Sequence, residues 1–372
     1  MKRFQGIRNC LRGMSAACRR RVFLASFALI AAVFVSGCSS SRTEPETSPD
    51  QTEKKISIGL SFDSFVIERW LRDRDVFVST AEELGAEVNV QNANGDINEQ
   101  ISQIEYFIRK QVDVIAIVAI DGEALKDVVQ KARSAGIRVV CYDRLILGAG
   151  TDLYISFDNE MVGTLMGEAL VDALPDGGRI FAVYGSQSDY NVPQVITGFQ
   201  KAIDGSGIEI VYSAYCENWL AELAFDAVEE GLEQEGTPDA IMCGNDDLAS
   251  QAIRALAEHG LAGRIPVVAQ DAELSACQRI LEGTQTMTVF KFMDEEARLG
   301  ATLAVALARG EDITAADAPV PVTDTINDGA EQVPYYHIDP VAVTAKNLDQ
   351  VIVDSGFHRK EDVYLNVAEE KS

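Results

Sequence analysis

The sequence predicts an α/β protein made of two doubly wound parallel-sheet lobes. Short Val- and Ile-rich runs alternate with longer amphipathic segments, and several of the runs lack the polar alternation of a half-exposed strand. Strands and helices that alternate every 25–30 residues or so imply right-handed crossovers within parallel sheets. Ten such runs over roughly 280 residues suit two sheets better than one.

The runs are Ile56–Phe62, Glu87–Gln91, Val114–Ala119, Arg138–Tyr142, Leu153–Phe157, Arg179–Tyr184, Glu209–Tyr215, Ala240–Gly244, Pro266–Ala269 and Thr286–Phe290. Between them, residues 97–110 carry Ile97, Ile101, Ile104, Phe107 and Ile108 at helical steps of three or four. Residues 159–174 repeat the pattern through Val162, Leu165, Met166, Ala169, Leu170 and Ala173, and residues 222–232 and 246–257 follow it. Gly85, Gly136 and Gly260 stand just beyond helical segments, where C-caps favour glycine.

Charge separates the N-terminus from this body. The 372 residues carry a net charge of -26, yet residues 1–37 hold seven basic residues and no acidic one. Such acidity excludes sequence-independent nucleic-acid binding as the main function. The basic start leads into the apolar stretch Val22–Val35, about 14 residues, which is short for a membrane span and fits the apolar part of an export signal. Val35-Ser36-Gly37-Cys38 resembles a bacterial lipobox, which implies cleavage after residue 37 and a lipid on Cys38 that ties the protein to a membrane. An uncleaved anchor is the competing reading. Residues 38–54, rich in Ser, Thr, Pro, Glu and Lys, read as a solvated tether. Removal of residues 1–37 leaves a charge of -33. Cys141, Cys216, Cys243 and Cys277 remain in the body, with no Cys-x-x-Cys pair and so no zinc-knuckle or redox motif. Their pairing is open.

In open α/β sheets, ligands bind outside the carboxyl ends of the strands, and there this sequence turns polar. Asp63, Arg69 and Trp70 follow the first run; Asp143 and Arg144 follow the fourth. Ser186, Asp189 and Asn191, then Trp219, Asn245-Asp246, Gln270-Asp271 and Lys291 follow later ones. Carboxylates, amides and cations in near balance, beside two indoles, suit a neutral polyhydroxylated ligand. Sugar hydroxyls both donate and accept, and the C–H faces of a pyranose pack on an indole. Asp246 and Ser186 could instead be helix N-caps.

These residues resemble the D-xylose-binding proteins of bacterial ABC importers. The likeness lies in Phe62-Asp63, Glu68-Arg69-Trp70-x-x-Asp73-Arg74-Asp75, Asn94-Gly95, Gln103-Ile104-Glu105, Tyr142-Asp143-Arg144 and residues 154–159. It continues in Asn245-Asp246, Gln270-Asp271, residues 283–289 and Asp354-Ser355-Gly356-Phe357-His358, and so spans about residues 55–360. The chain departs from the pattern at Ser64, Val66 and Phe292. The resemblance implies a type I periplasmic-binding-protein fold, two lobes joined by a three-strand hinge, closing around one monosaccharide. Arg69, Asp143, Arg144, Asn191, Asn245, Asp271 and Lys291 would hydrogen-bond the sugar; Trp219 would stack on it, and Trp70 could form the opposite wall. Crossings between lobes are expected near Asp158, Lys291 and Gly329. Residues 55–157 with 292–328 would form the N-terminal lobe, 158–291 with 329–360 the C-terminal lobe, and 361–372 a tail. The implied partners are the sugar, D-xylose first, and the importer's permease, with a monomeric chain and no cofactor.

Other classes fit less well. A nicotinamide enzyme would need G-x-G-x-x-G after its first strand, where Leu60-Ser61-Phe62-Asp63 stands instead. A sugar-responsive repressor would carry a basic helix-turn-helix where the signal and acidic tether lie. A sensor that presents sugar to a receptor kinase or chemoreceptor remains open, as does another aldose such as glucose, galactose, ribose or arabinose.

Overall fold

A computed structural model describes residues 55–367; the residues expected to form an export signal and a tether, Cys38 among them, lie outside the described residues, as do residues 368–372. Within the described part, the apolar runs become strands to within a residue or two. The first half alternates β1 (Ile56–Phe62), α1 (Arg69–Glu83), β2 (Ala86–Asn92), α2 (Ile97–Lys110), β3 (Val114–Ile117), α3 (Lys126–Ser134), β4 (Arg138–Tyr142) and β5 (Leu153–Phe157). The second runs α4 (Asn159–Ala173), β6 (Gly178–Tyr184), α5 (Asn191–Ile203), β7 (Ile208–Tyr215), α6 (Glu222–Glu235), β8 (Ala240–Cys243), α7 (Asp246–Glu258), β9 (Val267–Gln270), α8 (Leu274–Glu282) and β10 (Met287–Phe290). The chain ends with α9 (Met293–Ala308), β11 (Asp324–Asn327), β12 (Gln332–Ile338), β13 (Val341–Val343) and α10 (Lys360–Val363).

The strands form two sheets, ordered β11-β12-β5-β4-β3-β1-β2 and β13-β10-β9-β8-β6-β7. Each is parallel except for one antiparallel edge strand, β11 against β12 and β13 against β10. The missing polar alternation has a direct cause. In β3, Val114 and Ala116 face one apolar core while Ile115 and Ile117 face another, so every residue is buried. Gly85, Gly136 and Gly260 take φ of 89°, 81° and 67° beyond α1, α3 and α7, the left-handed values expected of them.

The chain passes between sheets after β5, after β10 and after β12. The third passage corrects the expectation of one near Gly329. Gly329 lies in the β11–β12 hairpin, whose turn is held by Asp328 Oδ1 accepting from the Ala330 and Glu331 amides, each at 2.8 Å. Residues 335–338 then pair with β5 in the first sheet, so the return falls at Asp339-Pro340. Residues 361–367 are no free tail. Val363 is fully buried among Cys277, Ile280, Phe290 and Ile352, against the second sheet. All four body cysteines are buried free thiols. Burial pushes Cys141 up to about 11 and Cys216 up to about 12, which leaves them poor nucleophiles.

Candidate binding site

Each sheet offers one aspartate in a left-handed turn at a strand's carboxyl end. Asp143 follows β4 with φ 64°, and Asp271 follows β9 with φ 101°. Their amides donate to the neighbouring strand in the same way, Asp143 to Ile155 O and Asp271 to Val289 O, both at 2.8 Å. A non-glycine residue there costs about 1–3 kcal/mol and persists only where its surroundings fix it. Both aspartates line one cavity between the sheets' ends.

Arg69 opens α1, and all of its guanidinium nitrogens are engaged. Nε and Nη2 donate to Asp73 at 3.1 and 2.8 Å, Nη1 to Asp143 Oδ2 at 3.0 Å, and Nη2 also to Glu296 Oε2 at 2.6 Å. Tyr142 donates to Asp73 at 2.6 Å, and the guanidinium lies over Trp70, 4.3 Å from the ring centre. Burial raises Glu296 and Asp73 above ordinary carboxyl values, with Arg69 pulling the other way. Burial also acts to raise Asp143, but Arg69, Lys291 and Arg144 outweigh it and hold that carboxylate below its usual value.

Arg144 bridges the two halves. Its Nη1 donates to Asp63 at 2.6 Å and to Ala119 O at 3.0 Å, while Nε lies 2.6 Å from Asp189 Oδ2 as an ion pair without an aligned hydrogen bond. Asp189, just before α5, also accepts from Trp219 Nε1 at 3.0 Å. Asn191 crosses the same gap, donating to Asp143 Oδ1 at 2.8 Å and Asp143 O at 3.1 Å. Trp219 lies across Gly185, where a Cβ would come within 2.2 Å of the indole, so only glycine lets the ring lie there. Lys291, on the second passage, sits 2.8 Å from Asp271.

Eight of the nine residues singled out from sequence line this cavity: Arg69, Trp70, Asp143, Arg144, Asn191, Trp219, Asp271 and Lys291. Asn245 does not. It caps α7, accepting from the Leu248 amide at 2.9 Å, although its Nδ2 is buried with no hydrogen-bond partner among the described residues. Asp246 is therefore not the cap, and Ser186 bonds Ser188 and Glu217 rather than capping a helix. Asp189, Gln270, Asn159 and Tyr184 also line the cavity without having been singled out as ligands. Each follows or ends a strand, and Asn159 and Gln270 also lie in the strings that carry the family resemblance. Trp70 Nε1 and Gln270 Oε1 are buried without partners among the described residues, and a hydroxyl-rich guest could satisfy both. Each cation that lines the cavity already faces a carboxylate, so an anionic guest would find none to spare.

Two doubly wound sheets joined by three passages, with a polar cavity where their strand ends meet, define a type I periplasmic binding protein. The model of the periplasmic binding protein domain matches residues 58–312, and the chain belongs to that family. Membership makes it an extracytoplasmic binding protein and not an enzyme. Over 316 residues it is 42% identical to the D-xylose-binding periplasmic protein of Haemophilus influenzae, covering 84% of this chain and 93% of that protein. It is 39% identical to the protein of the same name from Escherichia coli K12, covering 83% and 93%. A solved ABC transporter solute-binding protein from Clostridium phytofermentans with bound β-D-glucose superposes with a TM-score of 0.73 at 26% identity, covering 82% of this chain and 99% of that one. The likeness to D-xylose-binding proteins read in the sequence is thus shown.

Proposed function

We propose that the protein captures one monosaccharide, D-xylose first among them, between its lobes and delivers it to the permease of an ABC sugar importer. The observation that carries this reading is the pairing inside the cavity. Arg69, Arg144 and Lys291 each meet carboxylates, and the indole of Trp219 offers a flat apolar wall. A neutral polyol that donates and accepts at every hydroxyl fits such a lining better than an acid or a phosphate. The xylose-binding relatives support the pentose. Arg69, Asp143, Arg144, Asn191, Asp271 and Lys291 are the hydrogen-bonding groups, Trp219 stacks, and Trp70 forms the wall beneath Arg69, while Asn245, which caps α7 outside the cavity, is left out of the set. Calorimetry against a panel of pentoses and hexoses tests the reading: D-xylose should bind most tightly, and no heat from any aldose would refute it. The glucose-bound structural relative favours a second reading, a hexose as the main ligand, which the same panel separates.

The export reading rests on the basic start and the small residues before Cys38. The mature chain would begin at Cys38, carry its lipid there and act as a monomer outside the cytoplasm. Cells fed a radioactive fatty acid should label the wild-type protein and not Cys38→Ala. Equal labelling of both, or of neither, would count against the anchor.

A further inference from the structure

Residues 285–288 and Asp246 stand out in the sequence but do not line the cavity. Their place in the fold explains them. Beyond β9 the chain takes two successive left-handed residues without glycine, Asp271 at φ 101° and Ala272 at φ 52°. Such a turn needs fixed partners. The Ala272 amide donates to Thr288 Oγ1 at 3.0 Å, and Thr288 Oγ1 donates to Asp246 Oδ2 at 2.7 Å. The same Oδ2 accepts from the Glu273 amide at 3.1 Å. Asp246 is fixed in turn by Gln285, whose Nε2 donates to Oδ1 at 2.7 Å while Arg279 Nε donates to Gln285 Oε1 at 2.9 Å. Thr288 and Asp246 are fully buried, so water offers the Ala272 amide no substitute.

The other lobe repeats the device. There Ser156, next to the Ile155 that accepts the Asp143 amide, donates its hydroxyl to Asp143 O at 2.7 Å. In the second lobe Thr288 is next to the Val289 that accepts the Asp271 amide. In each lobe a buried hydroxyl from the adjacent strand holds the peptide group that follows the left-handed aspartate, Ser156 by donating to the Asp143 carbonyl and Thr288 by accepting from the Ala272 amide.

We infer that Thr288, held by Asp246, is a positioning residue that sets the Asp271 carboxylate against its ligand. This rests on the reading of Asp271 as a sugar-binding group. Thr288→Val keeps the shape and removes the hydroxyl, which frees the Ala272 amide and lets the turn relax. Binding of D-xylose, measured by calorimetry, should weaken about 10–100-fold, whereas Thr288→Ser should stay within about threefold of wild type. In an Asp271→Ala background no carboxylate is left to place, so adding Thr288→Val should weaken binding by no more than about threefold. A melting scan and exchange of the Ala272 amide accompany each titration. The amide should lose protection in Thr288→Val and keep it in Thr288→Ser. Wild-type affinity in Thr288→Val, or the same loss in both backgrounds, would overturn the assignment. If the wild-type protein bound no aldose, the sugar reading would fall, and an Ala272 amide equally protected in Thr288→Val and wild type would still overturn the clamp.

Discussion

Arg69→Met is expected to lower the unfolding free energy by about 3–5 kcal/mol at neutral pH, because it strips the cation from buried carboxyls while leaving them in place. Methionine keeps the aliphatic stem over Trp70, so packing changes little. Asp73 and Glu296 suffer most: burial already raises both, and Arg69 is the main influence pulling each down. Asp143 keeps Lys291 and Arg144 beside it. With the guanidinium gone, the folded-state values of Asp73 and Glu296 rise further above those of the unfolded chain, near 4. The folded protein then binds more protons than the unfolded one. Protonation therefore supports the variant fully below about pH 4, and that support is lost as pH rises through the raised folded values. The gap in melting temperature between wild type and variant should be wide at pH 8, of order 6–20 °C, and narrower at pH 5. A gap that is absent, or equal at both pH values, would show that Arg69 does not carry this charge cluster.

The part of the fold that could be read in the sequence is the part buried on both faces. Strands such as β3 and β4 leave no choice of side, so apolar runs alone mark them. The late strands hide for the opposite reason. β11 reads Asp-Thr-Ile-Asn and buries none of its residues, and β12 contains Pro334, which suits few strand interiors. What makes β12 a strand is pairing with β5, some 180 residues earlier, and no local pattern records that. The crossing expected near Gly329 falls later, at Asp339-Pro340, because Gly329 turns a hairpin whose second strand still belongs to the first sheet.

The site divides along the same line. Asp143 and Asp271 were legible because they sit where parallel strands end. Half of the Arg69 cluster was too, since Asp73 lies one helical turn away, but Glu296 comes from a helix 227 residues further on. Asn245 shows the limit of spacing, because an asparagine after a strand can cap a helix, touch a ligand, or do both. Asp189 went unselected because its partners, Arg144 and Trp219, follow strands of different sheets and meet it only when those sheets' ends come together.

That meeting makes Asp189 the residue whose loss should most separate ligand binding from folding. It lies before α5 in the second lobe, yet its carboxylate faces Arg144 from the first lobe and receives the Trp219 indole N–H. Asp189→Ala removes the charged partner that Arg144 meets across the lobes, worth about 1.5–3 kcal/mol, since Arg144 retains Asp63; the Trp219 bond it also removes lies within the second lobe and does not bear on closure. Where that loss falls depends on the open form. Once the lobes part, water takes over Asp189's share of Arg144, so the variant loses little stability unliganded and much of its tendency to close. A ligand shifts the equilibrium only by its preference for the closed form, so its apparent affinity should fall about 10–150-fold. Asp189→Asn, which still accepts from the indole, should fall in between. Calorimetry with D-xylose reads the affinity, and a melting scan of the unliganded protein should shift by no more than about 2 °C. Small-angle scattering should show the wild-type radius of gyration shrinking at saturating sugar, with Asp189→Ala needing far more sugar for the same contraction. Wild-type affinity in Asp189→Ala would mean that the contact between Arg144 and Asp189 contributes nothing to closure. A melting temperature that collapsed along with the affinity would mean that the contact belongs to the fold and not to the motion.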